Sequence, residues 1–223
     1  MYLKHRVGAV LLMAGIGSRF GGEIPKQFLP LKGKRVYLHT LDTFVQTGVF
    51  DEIVLVCHPA WQDTVSQEAA IATVVQGAGT RQESAYLGLL GFVNRPDIVV
   101  MHDAVRPLVS QEILLNNISS ALLHGAVDTC IASADTLVYA PQGDVIEAIP
   151  KRDHYLRGQT PQTFRFDLLL EVHVAARHDG VEAVSDDCQL VLRKGHPVHV
   201  VPGSERNFKI TTDLDFNLAS VLF

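Results

Sequence analysis

Short, wholly apolar runs recur along the chain between stretches of helical periodicity: Val7 to Leu12, Ile53 to Cys57, Ala72 to Val75 and Ile98 to Met101. A strand covered on one face alternates apolar and polar residues, whereas a strand with helices on both faces is apolar throughout. These four segments therefore predict central strands of a mostly parallel sheet in a three-layer α/β sandwich. The helices between them carry start signals. Thr80-Arg81-Gln82-Glu83 has the composition of a capping box and predicts a helix running to about Gly91. Ser110, ahead of Ile113-Leu114-Leu115, and Ser185, ahead of Asp186-Asp187, predict two further N-caps.

One segment breaks the alternation. Thr136 to Tyr139 and Val145 to Ile149 read as two short strands joined by the turn signal Pro141-Gln142-Gly143-Asp144. An isolated hairpin is marginal in water, so one projecting from an α/β body needs a surface to lie on. A second subunit is the economical surface, and residues 134–158 are expected to form a dimerisation arm on a single domain spanning 1–223.

The 223 residues are 47% hydrophobic and 19% charged, enough for a sizeable core. Nineteen Lys and Arg against 24 Asp and Glu give a formal charge of −5, which argues against a chain that coats nucleic acid or an anionic membrane. Any basic site must be local. Cys57, Cys130 and Cys188 are odd in number and far apart, the pattern of neither a disulfide framework nor a zinc site. Lys4-His5-Arg6 and the apolar run after it imitate a signal peptide, but the run ends in a glycine-rich loop and reads as a buried first strand. No apolar run approaches the roughly 20 residues of a membrane span. The expected setting is the reducing cytoplasm.

The strongest local signal is that loop, Ala14-Gly15-Ile16-Gly17-Ser18-Arg19, followed by Pro25-Lys26-Gln27. Glycines directly after a buried strand let backbone N–H groups approach phosphates closely. Neither the dinucleotide fingerprint nor a Walker A loop is present. Instead Arg19 and Lys26, seven residues apart around a turn, could close over a triphosphate from two sides. His102-Asp103-Ala104-Val105-Arg106-Pro107 also follows a strand, at the sheet edge where open α/β folds place ligands.

The pattern A-G-x-G-x-R-x(6)-K resembles nucleotidyltransferases. Adding Gly77-x-x-x-Arg81-x-x-Ser84, the His102 to Pro107 string, Asp135-Thr136, Arg152, Thr160-Pro161-Gln162 and Asn207 to Thr211, the chain resembles the CTP-dependent polyol-phosphate cytidylyltransferases over about residues 6 to 222. The resemblance implies a Rossmann-like nucleotidyltransferase sheet and the reaction CTP plus alditol phosphate giving CDP-alditol plus pyrophosphate, with Mg²⁺ on the triphosphate. It implies catalytic roles for Arg19, Lys26 and Lys209. Nucleotide contacts fall to Ala14, Gly15, Gly17, Gly77, Arg81, Ser84 and Asp103, with Asp103 also the candidate Mg²⁺ ligand. Acceptor contacts fall to Arg106 and Thr160, and to Thr136 and Arg152 from the arm of the other subunit of a homodimer.

Two departures bear on substrate. The Gly-Gly of many relatives is Gly77-Ala78 here, and the arm reads Asp135-Thr136-Leu137-Val138. Together with Gly125 to Thr129, Ile149 to Arg152 and Gly158 to Phe164, the arm looks more like the branch acting on D-ribitol 5-phosphate, which becomes the first expectation. The alternative is 2-C-methyl-D-erythritol 4-phosphate, an isoprenoid precursor. A chain that binds nucleotide without turnover is the reading from another class; it would have lost Arg19, Lys26 or Asp103, and all three are present. Asp186-Asp187 reads as a capping pair, His196 and His199 as residues on opposite strand faces, and Trp61 has no assigned role.

Overall fold

The computed structural model describes residues 1–15, 24–181 and 184–223. Among these, the strands are β1 (Val7–Met13), β2 (Pro30–Leu31), β3 (Lys34–Arg35), β4 (Glu52–Cys57), β5 (Thr73–Gln76), β6 (Ile98–Asp103), β7 (Ala126–Ala132), β8 (Leu156–Arg165) and β9 (His199–Pro202). The helices are α1 (Val36–Thr47), α2 (Gln62–Glu68), α3 (Arg81–Leu90), α4 (Gln111–His124), α5 (Phe166–His178), α6 (Asp187–Arg193) and α7 (Asp213–Leu222).

Seven strands form one sheet in the order β5-β4-β1-β6-β8-β7-β9, and β2 pairs with β3 separately. All four strands predicted from apolar runs are present and lie side by side, mutually parallel. β8 runs antiparallel to both β6 and β7, while β7 and β9 are parallel. Every residue of β1 is buried, and its side chains divide by parity. Val7, Ala9, Leu11 and Met13 join the core beneath α1, α2 and α4, and Val10 and Leu12 join the core beneath α3, α5 and α6. Helices thus cover both faces, as the continuous apolar runs require.

The helix starts follow the expected chemistry with two corrections. The Thr80 hydroxyl accepts from the Glu83 N–H at 3.1 Å, but the Glu83 carboxylate turns to Arg177 instead of returning to the cap, so the box is half formed. A reciprocal box occurs at α7, between Thr212 and Asp215. Ser110 caps α4 as expected. At α6 the cap is Asp186, one residue later than predicted, accepting from the Gln189 N–H at 3.0 Å.

The arm segment turns at Gly143, whose φ of +84° suits glycine, and its two sides meet in one antiparallel bridge between Tyr139 and Ala148. The two predicted strands do not extend into a ladder, because among the described residues no layer packs on them. Val138, Tyr139, Val145, Ile146 and Ile149 are all at least half exposed. No described helix is long and apolar enough to cross a membrane.

Candidate active site

The ends of β1 and β6 stand side by side at the centre of the sheet, where Leu12 pairs with Asp103. Above them opens a cavity of about 540 Å³. Its described lining brings together Ala14 and Gly15 from the end of β1, Lys26, Arg81 and Ser84 from the start of α3, Asp103 from β6, and Lys209. Arg19 and Gly17, the other expected residues of the glycine-rich loop, lie outside the described residues.

Local packing explains how these groups reach one place. Gln27 is buried and donates both Nε2 hydrogens, to the Met13 and Gly15 carbonyls, each at 2.8 Å. That pins the segment carrying Lys26 against the end of β1. Trp61 stacks on Phe28 with ring centroids 4.0 Å apart, so the lone tryptophan braces the same short turn from below. Opposite, the Gly77 N–H donates to the Cys57 carbonyl at 2.8 Å, and a Cβ built on Gly77 would sit 2.2 Å from the Ala14 Cβ. Glycine is required there for the chain leaving β5 to cross the end of β1. The Ser84 hydroxyl accepts from the Ala78 N–H at 3.0 Å and faces the Ala78 carbonyl at 3.3 Å, which holds the next turn of backbone at the rim.

Asp103 organises the floor. Its Oδ2 lies 2.9 Å from the Lys209 ammonium and 3.5 Å from the Arg106 Nε. Burial alone would push this carboxyl up, but Lys209, Arg81 and Arg106 outweigh it and hold the group well below the usual carboxylate range. Asp103 is therefore an anion at neutral pH. Neighbouring His102 is fully buried, and desolvation pushes its pKa down to about 3, so the ring is neutral. Its Nε2 faces the Arg106 carbonyl at 3.4 Å, and a carbonyl only accepts, so Nε2 carries the hydrogen. Nδ1 then accepts from the Thr160 hydroxyl at 2.9 Å, whose oxygen accepts the Asp103 N–H at 3.1 Å.

The residues expected on the acceptor side divide. Arg106 and Thr160 stand outside the described lining: Arg106 Nη1 donates to the Asn207 carbonyl at 2.9 Å, and Asn207 Nδ2 donates to the Thr160 carbonyl at 2.8 Å, tying the turn after β6 and strand β8 to the segment that carries Lys209. Thr136 and Arg152 are exposed on the arm, outside the described lining, with Arg152 Nη1 donating to the Ala134 carbonyl at 2.9 Å. Asp186-Asp187 is not a capping pair. Asp186 caps, while Asp187 is fully buried, with Oδ2 at 2.9 Å from Arg81 Nη2 and Oδ1 at 3.0 Å from His173 Nε2. His199, at the start of β9, stacks on His124 at 3.8 Å. Sequence does not name His173, and it names Gln27, Asn207 and Asp187 only within longer strings, without these roles. Gln27 directly follows Lys26, Asn207 lies two residues before Lys209, and Asp187 reads from sequence only as half of a capping pair.

The chain matches the family model for 2-C-methyl-D-erythritol 4-phosphate cytidylyltransferase (IspD) over residues 7–223. Among solved structures it is similar to a 4-diphosphocytidyl-2C-methyl-D-erythritol synthase from Anaerococcus prevotii, at 29% identity and a TM-score of 0.84, with 98% of each chain covered. It is similar to the methylerythritol phosphate cytidylyltransferase of Thermus thermophilus at 33% identity and a TM-score of 0.81, with 96% of each chain covered. The Francisella tularensis enzyme of that name gives 26% identity and a TM-score of 0.85, covering 98% of this chain and all of the other. None of these three is a ribitol 5-phosphate enzyme, so the order of the two acceptors expected from the arm and flanking strings is not supported and the alternative fits better. A strand-end cavity lined by two lysines, an arginine and one carboxylate, on a chain matched almost from end to end, makes this CTP-dependent nucleotidyltransferase a member of the 2-C-methyl-D-erythritol 4-phosphate cytidylyltransferase family.

Proposed function

We propose that the chain transfers the cytidylyl group of CTP to 2-C-methyl-D-erythritol 4-phosphate, releasing pyrophosphate. The observation that carries this reading is the cavity at the ends of β1 and β6, lined by Lys26, Arg81 and Lys209 together with Asp103. A phosphate monoester has a second pKa of about 6, so the acceptor oxygen is already anionic at neutral pH and needs no strong base. The difficulty is bringing two anions together. The new bond forms between that oxygen and the α-phosphorus as the bond to the β-phosphate oxygen breaks, and negative charge grows on the α-phosphate oxygens. Fixed cations stabilise that charge without having to reorganise. In this reading Lys26 and Lys209 are those cations, joined by Arg19. Asp103 keeps the Lys209 ammonium in place through their ion pair.

Mg²⁺ belongs to the substrate side of this scheme. Asp103 is the only carboxylate in the described lining, and its Oδ2 is shared by two cations. One carboxylate fits an ion that arrives on phosphates and keeps several waters. When bound, it would supply further charge neutralisation on the triphosphate. The exposed arm with Thr136 and Arg152 supports a homodimer in which each arm reaches the neighbour's acceptor site. The decisive experiment measures pyrophosphate release from CTP and Mg²⁺ with each alditol phosphate. Higher kcat/KM with the methylerythritol substrate is expected, and a ratio favouring ribitol 5-phosphate would reverse the acceptor while leaving the reaction class intact.

A further inference from the structure

Asp187 is out of proportion to any capping duty. Its side chain is fully buried, and three other elements converge on it. Arg81 from α3 pairs with Oδ2, the His173 ring from α5 donates to Oδ1, and the residue's own N–H, at the start of α6, donates to the Gln162 side-chain oxygen of β8 at 3.2 Å. Arg81 is the one member of the group that lines the cavity. Its Nη2 is spent on Asp187, while its Nη1 is buried with no hydrogen-bond partner among the described residues.

We propose that Asp187 and His173 are positioning residues for the nucleotide: they hold one edge of the Arg81 guanidinium so that its other edge is presented to CTP. The proposal rests on the cavity being the nucleotide site. Buried ion pairs seldom repay their desolvation in stability, so a fully buried carboxylate on an arginine at a cavity wall is better understood as fixing geometry. Arg81 has a second carboxylate near it. Asp103 lines the same cavity and feels the Arg81 charge. An arginine released from Asp187 has a second carboxylate to fall onto, and a guanidinium lying across the floor would occupy the space the nucleotide needs. His173 acts one step further back. Its ring is fully buried, and donation from Nε2 keeps Oδ1 turned away so that Oδ2 faces Arg81.

The test compares KM for CTP, KM for the acceptor and kcat in wild type, Asp187→Asn, Arg81→Ala and the double variant. Asp187→Asn is expected to raise the CTP KM ~10-fold, far more than it lowers kcat, with the acceptor KM within about twofold. The double variant should be no worse than Arg81→Ala alone, because Asp187 acts only through Arg81. His173→Gln, which keeps an N–H donor, should stay near wild type, and His173→Phe should raise the CTP KM a few-fold. An unchanged CTP KM in Asp187→Asn, or effects that multiply in the double variant, overturns the proposal. If Asp187→Asn does not fold, equal CTP KM values for the two His173 variants overturn it instead. If wild type itself fails to bind CTP in calorimetry, the nucleotide reading falls first and the proposal with it.

Discussion

Substituting Gly77 with alanine tests the geometry of the cavity most directly. The added methyl would lie 2.2 Å from the Ala14 Cβ, 3.2 Å from the Ser84 Oγ and 3.3 Å from the Cys57 carbonyl oxygen. The first contact is the serious one, because both atoms are fixed to backbone and neither can rotate away. Relief requires the end of β1 to separate from the turn after β5, and overpacking of this kind costs about 1–3 kcal/mol. In a chain of this length each kcal/mol lowers Tm by roughly 2–4 °C, so Gly77→Ala should melt several degrees below wild type. Its kcat/KM for CTP should fall as well, because Ala14 lines the cavity. Two controls isolate the cause. Gly79, two residues on, has nothing within 4 Å of an added Cβ, so Gly79→Ala should melt close to wild type. Adding Ala14→Gly to Gly77→Ala removes the partner methyl and should recover most of the lost stability. Differential scanning fluorimetry of the four proteins decides the matter: a Gly77→Ala chain as stable as wild type, or a double variant no better than Gly77→Ala, refutes the packing described above.

Three further outcomes are expected. Lys26→Ala should lower kcat on the order of 10²–10³-fold, by analogy with the loss of one oxyanion donor, and near-wild-type turnover in a steady-state assay would remove Lys26 from the chemistry. If arms complete the neighbouring sites, mixing inactive Lys26→Ala and Arg152→Ala chains should restore activity once subunits exchange, since one site in each hybrid carries neither lesion. Asp128 has its pKa pushed up to about 6, chiefly by burial and against the hydrogen bond from Gln162. The folded chain therefore keeps this proton between about pH 4 and 6 while the unfolded chain loses it, so stability falls as pH rises through that window. Asp128→Asn should be more stable at pH 7.5 by on the order of 2 kcal/mol, with the gain vanishing below about pH 4; a gain of equal size at both pH values would show that charge is not its source.

The strands that sequence reveals are those whose surroundings are uniformly apolar. β1, β4 and β6 are buried on both faces and read as unbroken hydrophobic runs. β8 is as buried from Gln159 to Phe164, yet that stretch carries Gln159, Thr160, Pro161, Gln162 and Thr163. Each of its four polar side chains is accommodated by a partner remote in sequence, such as Thr163 by Asn117 and Gln162 by Asp128, and no local pattern announces such pairings. The same division runs through the site. Groups facing the cavity occur in short strings with glycines or charges at fixed spacing, so Lys26, Arg81, Ser84 and Asp103 could be named in advance. Those behind them could not. Whether Asp186 or Asp187 turns inward depends on where α6 begins, a matter of one residue, and only the folded contacts with Arg81 and His173 decide it.

The Gln27 amide cinches the chain like a drawstring: two positions on the far side of the loop, the nearer of them twelve residues away, are gathered by the two hydrogens of one nitrogen. The two sides of the cavity mouth that carry Gly15 and Lys26 are thereby fixed to each other directly. A glutamate of the same shape would bring oxygen against two carbonyl oxygens where hydrogens had been. The knot would become a wedge, and the two halves of the rim would part before any nucleotide arrived.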